Sequence, residues 1–318
     1  MPPLQDEQIQ EPICTFWAIG DLHYRALPAW QQIHTQRLAA LFEDVRELWQ
    51  QEGRPAFCVS PGDVVDTCAL ENYQVARDSL QAQFGALPFY PGVGNHEYHG
   101  PDGEDPARMG ETFTSVWGRP LRYSWQEQGV IFIMLDYPDP MTLEDPQRVY
   151  ISPQTLAFLE QTLQEHSGQP TVIFLHCPLH NTVLDRNVET HRDFNSLQHF
   201  FAPENSAEVR AILARHQNSC LFISGHTHSG WEAPNLVVTE QAGDHPVTFV
   251  NLMSPWYTGA HTGSRLSDDR QSMRYIPDDP DIVPSFSFHL FREHALIRVR
   301  EHRSRTWLKS WEVPLTVR

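Results

Sequence analysis

No apolar run in this chain approaches the roughly 20 residues that a membrane-spanning helix needs, and no membrane partner is expected. Residues 1–12 are polar and slightly acidic, without the basic start and apolar stretch of a secretion signal, so the expected location is cytoplasmic. CxxC pairs are missing too. The five cysteines, Cys14, Cys58, Cys68, Cys177 and Cys220, are odd in number and scattered, which argues against a disulfide framework and a zinc knuckle. Cys58 and Cys220 lie in or beside apolar runs and read as buried free thiols. Basic side chains are scarce: 23 Lys and Arg face 40 Asp and Glu, a formal charge of -17. Such a surface repels phosphate backbones, so no nucleic acid partner is expected. An anionic substrate would need a local source of positive charge, which bound cations would supply. Internal repeats and low-complexity tracts are absent as well.

What is present is an ordinary globular composition, 40% hydrophobic and 20% charged, in 318 residues. That length can bury one sizeable core or two modest ones. Short apolar runs alternate with helical patterns over the first three quarters of the chain. Strands are expected at 16–19, 56–59, 88–93, 171–175 and 221–224, with a hairpin at 123–125 and 130–135. Leu38, Leu41, Phe42, Val45, Leu48 and Trp49 share one helical face, closed by Gly53. Further helices are expected over 72–84, from Ser152 and Pro153 to Glu165, and after an Asn205/Glu208 capping box to about His216. From about 236 onward strands follow one another without a long helix, at 236–239, 247–251, 285–290, 295–299 and 306–311. This mixture implies an α/β arrangement with a second, largely antiparallel sheet: two sheets around one core, flanked by helices. Residues 100–119, 138–149 and 261–284 read as long loops.

Five short clusters place metal-ligand side chains directly after an apolar strand. They are Gly20-Asp21-Leu22-His23, Gly62-Asp63-Val64-Val65-Asp66, Gly94-Asn95-His96-Glu97, His176, and Gly225-His226-Thr227-His228. Ligands in layered α/β proteins bind beyond the carboxyl ends of the strands, so five such ends could converge on one rim. Asp, Asn and His offer oxygen and nitrogen donors suited to divalent transition metals. The preceding glycines are expected to take the sharp turns. Asp-x-His and His-x-His are expected to be extended, with both ligands on one side. Any one cluster alone is weak; the five together, in order, are specific.

This series resembles the calcineurin-like metallophosphoesterase superfamily, over residues from about 16 to 228. The resemblance implies one calcineurin-like domain over 1–318, a four-layer sandwich of two mixed sheets flanked by helices, with the metal site at the strand C-terminal ends. It implies two divalent metal ions, drawn from manganese, iron, zinc, cobalt or nickel. Asp21, His23 and His228 would hold the first, Asn95, His176 and His226 the second, and Asp63 would bridge them. His96 would protonate the leaving group or contact the phosphate, while Asp66 and Glu97 would orient other groups. A hydroxide shared by the two ions would attack phosphorus in line with the departing oxygen.

Protein Ser/Thr phosphatases of the superfamily carry an Arg-Gly pair straight after the second motif; Asp66 is followed instead by Thr67 and Cys68. The expected substrate is therefore a small phosphate ester, foremost a phosphodiester. A phosphomonoesterase, a nucleotide pyrophosphatase and a non-catalytic binding scaffold are the alternatives. Tyr98, His99, His180, Trp256 and Tyr257 are further candidates for substrate contact, although Trp256 and Tyr257 also read as packing between strands. Arg25 reads either as a phosphate contact or as a surface arginine. No motif specifies an oligomeric state.

Overall fold

The computed structural model describes residues 11–100, 108–137, 148–183, 196, 201–230, 233, 235–256, 263–266, 273–276 and 282–315. Alternation along the strands sorts side chains between two kinds of core. On β1 (Cys14–Ala18), Cys14, Phe16 and Ala18 face one cluster, while Trp17 faces another. The first cluster contains residues of both sheets and none from a helix. At its centre Phe16 stacks between Phe57 and Phe288, at 5.2 and 4.5 Å between ring centroids, and meets Phe132 and Phe174 of the opposite sheet edge-on. The second kind of core lies outside the sheets, where helix residues such as Leu41, Tyr73, Phe113, Leu159 and Leu213 pack. The result is two mixed β-sheets, face to face and flanked by helices, as expected.

The first sheet runs β14-β13-β12-β1-β2-β3. Its β1, β2 (Phe57–Ser60) and β3 (Phe89–Pro91) are parallel, whereas β12 (Pro284–Leu290), β13 (His294–Glu301) and β14 (Thr306–Pro314) add antiparallel neighbours. The second sheet runs β4-β5-β6-β7-β9-β8. There β5 (Val130–Met134), β6 (Thr171–Phe174), β7 (Ser219–Ser224) and β9 (His245–Asn251) are parallel, edged by β4 (Tyr123–Glu127) and β8 (Val237–Ala242). The strands beyond 236 thus do not build an antiparallel sheet of their own. Apart from a separate two-stranded hairpin, they divide between the two sheets, because each sheet has a free flank beside a parallel strand, at β1 and at β7.

Other expectations need correction. Helix α1 spans Pro28–Glu52, starting ten residues before the apolar stripe suggested, with Pro28 at its first turn. Its buried face continues backwards through Arg37, His34 and Trp30, and the two polar residues hid the periodicity. Helix α2 (Leu70–Phe84) matches expectation, and so does α4 (Pro153–Glu165), where Ser152 Oγ accepts from Thr155 N at 3.1 Å. Residues 100–119 are not all loop, since α3 occupies Met109–Trp117. Residues 261–284 contain a short hairpin, β10 (Gly263–Leu266) and β11 (Met273–Ile276). The expected 138–149 loop falls almost entirely outside the described residues. Asn205 precedes α5 (Ser206–Arg215) but does not cap it through its side chain, which instead pairs with both the N–H and the carbonyl of Ile151.

One buried polar chain ties α1 to the first sheet. Trp17 Nε1 donates to Ser285 Oγ at 2.6 Å, Ser285 Oγ meets His302 Nε2 at 2.6 Å, and His302 Nδ1 meets Asp44 Oδ2 at 2.8 Å. Arg300 grips the same carboxylate with two bonds of 2.8 and 2.9 Å. Burial pushes the Asp44 pKa up, but the hydrogen bonds from Arg300 and His302 outweigh it and hold the carboxyl well below the usual carboxylate range. Asp44→Ala strands a buried guanidinium, so urea unfolding at pH 7 should show a loss of about 3 kcal/mol. A depressed folded-state pKa contributes stability above the unfolded pKa and loses it as pH falls. The gap between wild type and Asp44→Asn should therefore narrow below about pH 4.

Candidate functional site

All five sequence clusters lie just beyond the C-terminal ends of parallel strands: β1, β2 and β3 of one sheet, β6 and β7 of the other. Because the sheets are stacked, these ends face one another across a single cleft. Donor atoms of Asp21, His23, Asp63 and His228 lie within 4.8 Å of one another, and so do those of Asp63, His176 and His226. Asp63 belongs to both groups. Its Oδ2 is 3.1 Å from His176 Nε2 and 3.8 Å from His23 Nε2. Asn95 Oδ1 lies 3.2 Å from His176 Nε2, which puts the amide on the His176 side. His228 Nε2 is 3.3 Å from both Asp21 Oδ1 and His23 Nε2.

The backbone here departs from the expected extended form. Asp21, His23, Asp63, His226 and His228 have φ of 38, 50, 51, 71 and 48°, the left-handed region that side chains with a Cβ seldom occupy. The ligand-type residues themselves take the turns. Of the glycines before the clusters, Gly62 has a positive φ, 159°, while Gly94 and Gly225 serve close approach: a Cβ on Gly94 would collide with the Asp63 carboxylate, and one on Gly225 with Asp21 Oδ2.

Such strain persists only where surrounding bonds fix it. Glu97, fully buried, accepts from Asp63 N at 2.9 Å, Val64 N at 2.8 Å, Val65 N at 3.2 Å and Gly94 N at 2.6 Å. The second and third clusters are thereby bound to one carboxylate. Asn251, at the end of β9, performs a similar task for the fifth. Its Nδ2 donates to Gly225 O at 2.7 Å, and its Oδ1 accepts from Thr227 Oγ1 at 2.7 Å. Across the cleft, His226 N donates to Asp21 Oδ1 at 2.9 Å, while within the second sheet Gly225 N donates to His176 O at 2.8 Å.

The electrostatics fit bound cations. Asp21 and Asp63 are both buried, and Asp21 Oδ2 has no hydrogen-bond partner among the described residues. Burying two carboxylates so close together is costly unless positive charge compensates them. Burial pushes Asp63 up, yet His176, His96 and His23 together hold it well below the ordinary carboxylate range. Burial lowers His176, but the Asp63 carboxylate raises it to about 9. Burial and the neighbouring Asp63 push Glu97 up to about 7, against the pull of its backbone N–H donors. A two-cation arrangement would use Asp21, His23 and His228 on one side, Asn95, His176 and His226 on the other, and Asp63 between them.

Beside this group, His96 Nδ1 donates to Asp66 O at 2.9 Å, and its ring stands 4.4 Å from that of His23. Burial lowers the His96 pKa, but Asp63 and Asp66 outweigh it and raise it. Asp66 Oδ2 is held by Arg25 at 2.8 Å, so Arg25 is neither a bare surface residue nor a free phosphate contact. His99 is exposed, its ring 4.5 Å from His96. His180 is exposed too, and its N–H bonds Ser206 Oγ. Tyr98 is buried, with its hydroxyl on Tyr137 O. Trp256 is fully buried against Trp30 and His34, so it packs rather than stacks on a substrate; Tyr257 lies outside the described residues. Sequence reading missed Asn251, as well as Tyr137 and Phe201, whose rings stand 6.2 and 5.3 Å from that of His226. For Asn251 the signal was available: a polar residue closing an apolar strand, like the five clusters.

Comparison with known proteins agrees with this geometry. The family model for the calcineurin-like phosphoesterases matches residues 14–230. The chain belongs to that family. Among relatives, it is 27% identical over 190 residues to the glycerophosphodiester phosphodiesterase GpdQ of Enterobacter lignolyticus. That match spans 55% of this chain and 57% of the relative, so the likeness covers little more than half of each. The fold is similar to a dimetal phosphatase from Danio rerio, with a TM-score of 0.63 at 18% identity over 96% of this chain and 100% of that one. It is also similar to GAP50, the anchor in the inner membrane complex of Plasmodium, with a TM-score of 0.58 at 12% identity over 95% and 90% of the two chains. No described helix is long and apolar enough to cross a membrane.

Glu97→Ala removes the acceptor of four buried N–H groups, each costing about 1–3 kcal/mol when left unsatisfied. Chemical denaturation should show it to be destabilised by several kcal/mol, more than any other single truncation in the cleft.

Proposed function

We propose that this protein hydrolyses small phosphodiesters with two divalent metal ions, and that residues 1–318 form one domain for that purpose. The observation that carries the reading is the shared membership of Asp63 in both donor groups. Asp21, His23 and His228 would hold one ion, Asn95, His176 and His226 the other, and Asp63 both. This donor set of carboxylates, an amide and imidazoles accepts manganese, iron, zinc, cobalt or nickel. When bound, the ions would supply a water acidified towards neutral pH and positive charge for the phosphoryl oxygens.

The chain's own residues supply the rest. Asp66 O keeps a proton on His96 Nδ1, which leaves Nε2 to give its proton to the departing oxygen. Arg25 anchors the Asp66 side chain and so steadies that arrangement. Glu97 and Asn251 keep the loops in their left-handed conformations. The diester preference is supported by Thr67-Cys68 standing where protein phosphatases carry Arg-Gly, and by the engagement of Arg25 with Asp66. The partial likeness to a glycerophosphodiester phosphodiesterase points the same way.

The test compares bis(nitrophenyl) phosphate with nitrophenyl phosphate, using metal-free protein with manganese added back. The expected outcome is metal-dependent turnover, faster on the diester. Faster turnover of the monoester would move the protein to the phosphatases, and none on either with any of the five metals would favour a binding scaffold. His96→Ala should retain its metal but lose about a hundredfold or more in rate with a poor alkoxide leaving group. With nitrophenolate, which leaves unaided, it should lose far less. Equal losses on both would exclude the proton-donor role.

A further inference from the structure

Three consecutive carbonyl oxygens, those of Asp21, Leu22 and His23, each accept a hydrogen bond from a buried side chain. Ser254 Oγ donates to Asp21 O at 2.8 Å, His34 Nε2 to Leu22 O at 2.6 Å, and Trp30 Nε1 to His23 O at 3.0 Å. The donors come from two directions. Trp30 and His34 lie four residues apart on the first turns of α1, and Ser254 lies in the segment that follows β9. All three are buried, at 6%, 2% and 0% exposure, so water cannot replace the bonds they make. Trp256 wedges the group together, its ring 5.1 Å from Trp30 and 4.7 Å from His34, while its backbone N–H donates to Ser254 Oγ at 3.2 Å. Burial lowers the His34 pKa to about 4, so its ring is neutral near pH 7 and the Leu22 carbonyl fixes its proton on Nε2.

We propose that Trp30, His34 and Ser254 are positioning residues that hold the Asp21-Leu22-His23 segment in its left-handed form and thereby set the affinity of one of the two metal positions. Asp21 and His23 sit at φ of 38 and 50°, and a residue there relaxes unless its peptide groups are fixed. Relaxation would swing both side chains away from Asp63 and His228. The strand-like bonds on the other side of the segment, His23 N to Asp63 O and Tyr24 N to Val64 O, orient its N–H groups but leave the carbonyls to these three donors. The trio bonds only the Asp21-Leu22-His23 segment, which carries two donors of one position and none of the other, so its loss falls foremost on that one ion. Partners behind a ligand commonly change metal affinity by about 10–100-fold.

This inference rests on the two-metal reading, and its test separates the two. Manganese binding to metal-free protein is followed by calorimetry for wild type, Trp30→Phe, His34→Ala, Ser254→Ala and, as reference for the position concerned, Asp21→Asn. Trp30→Phe and Ser254→Ala remove a donor with little change of shape, and circular dichroism checks that each variant is folded. The expected result is two ions in wild type, with one weakened about 10–100-fold in each donor deletion. It should be the same ion that Asp21→Asn loses, the other keeping its affinity. His34→Gln, which retains an N–H donor, should recover most of the loss seen in His34→Ala. A general loosening of the fold would weaken both ions together and would not respond to the donor-retaining variant, so that outcome overturns the proposal. Two ions at wild-type affinity in folded donor deletions overturn it as well, leaving the two-metal reading intact. Wild type that takes up no manganese would overturn that reading and this proposal with it.

Discussion

Everything at the cleft depends on where the Glu97 carboxylate sits. It is buried, comes from the short 3-10 turn His96–Tyr98, and closes its lone pairs on four backbone N–H groups of two different loops. Those loops follow β2 and β3, neighbouring parallel strands, and carry Asp63, Asn95 and His96. With Glu97 in place, Asp63 can occupy a left-handed conformation and reach toward both halves of the site. Its own Oδ1 accepts from His96 N, so the carboxylate shared between the two donor groups is itself held by the loop that Glu97 anchors.

The sandwich explains why two sheets are needed. The first sheet supplies Asp21, His23, Asp63, Asn95 and His96, and the second supplies His176, His226 and His228. Neither sheet carries a complete set. The edge-on phenylalanine contacts between them fix the separation of the strand ends, and bonds such as His226 N to Asp21 Oδ1 join the rims directly. Strand β9 extends the same logic. It has no ligand-type cluster after it, yet Asn251 and Ser254 lock the loops of both sheets.

Much of this was legible in the sequence, because its signals are local. Apolar runs of strand length marked the sheets, and Asp, Asn and His placed immediately after them marked the rim. Less legible was whatever depends on contacts distant in the chain. Asn205 looked like a helix cap, but Ile151 offers its side chain a buried N–H and carbonyl together. His34 and Arg37 interrupted an apolar stripe and hid the start of α1; both are satisfied by carbonyls elsewhere, Leu22 O for His34 and Pro255 O for Arg37. The left-handed ligand residues could not be foreseen either, since glycine is the residue that sequence reasoning assigns to such turns. Bonds from Glu97, Asn251, Ser254, Trp30 and His34 make them tenable.

The proposed place of Asp63 between two cations is directly testable. Crystals of the protein grown metal-free and soaked in manganese would test it by anomalous diffraction. Two anomalous peaks a few ångströms apart, flanking the Asp63 carboxylate, with Asp21, His23 and His228 around one and Asn95, His176 and His226 around the other, are the predicted result. A single peak away from Asp63, or no ordered manganese in the cleft, would contradict it.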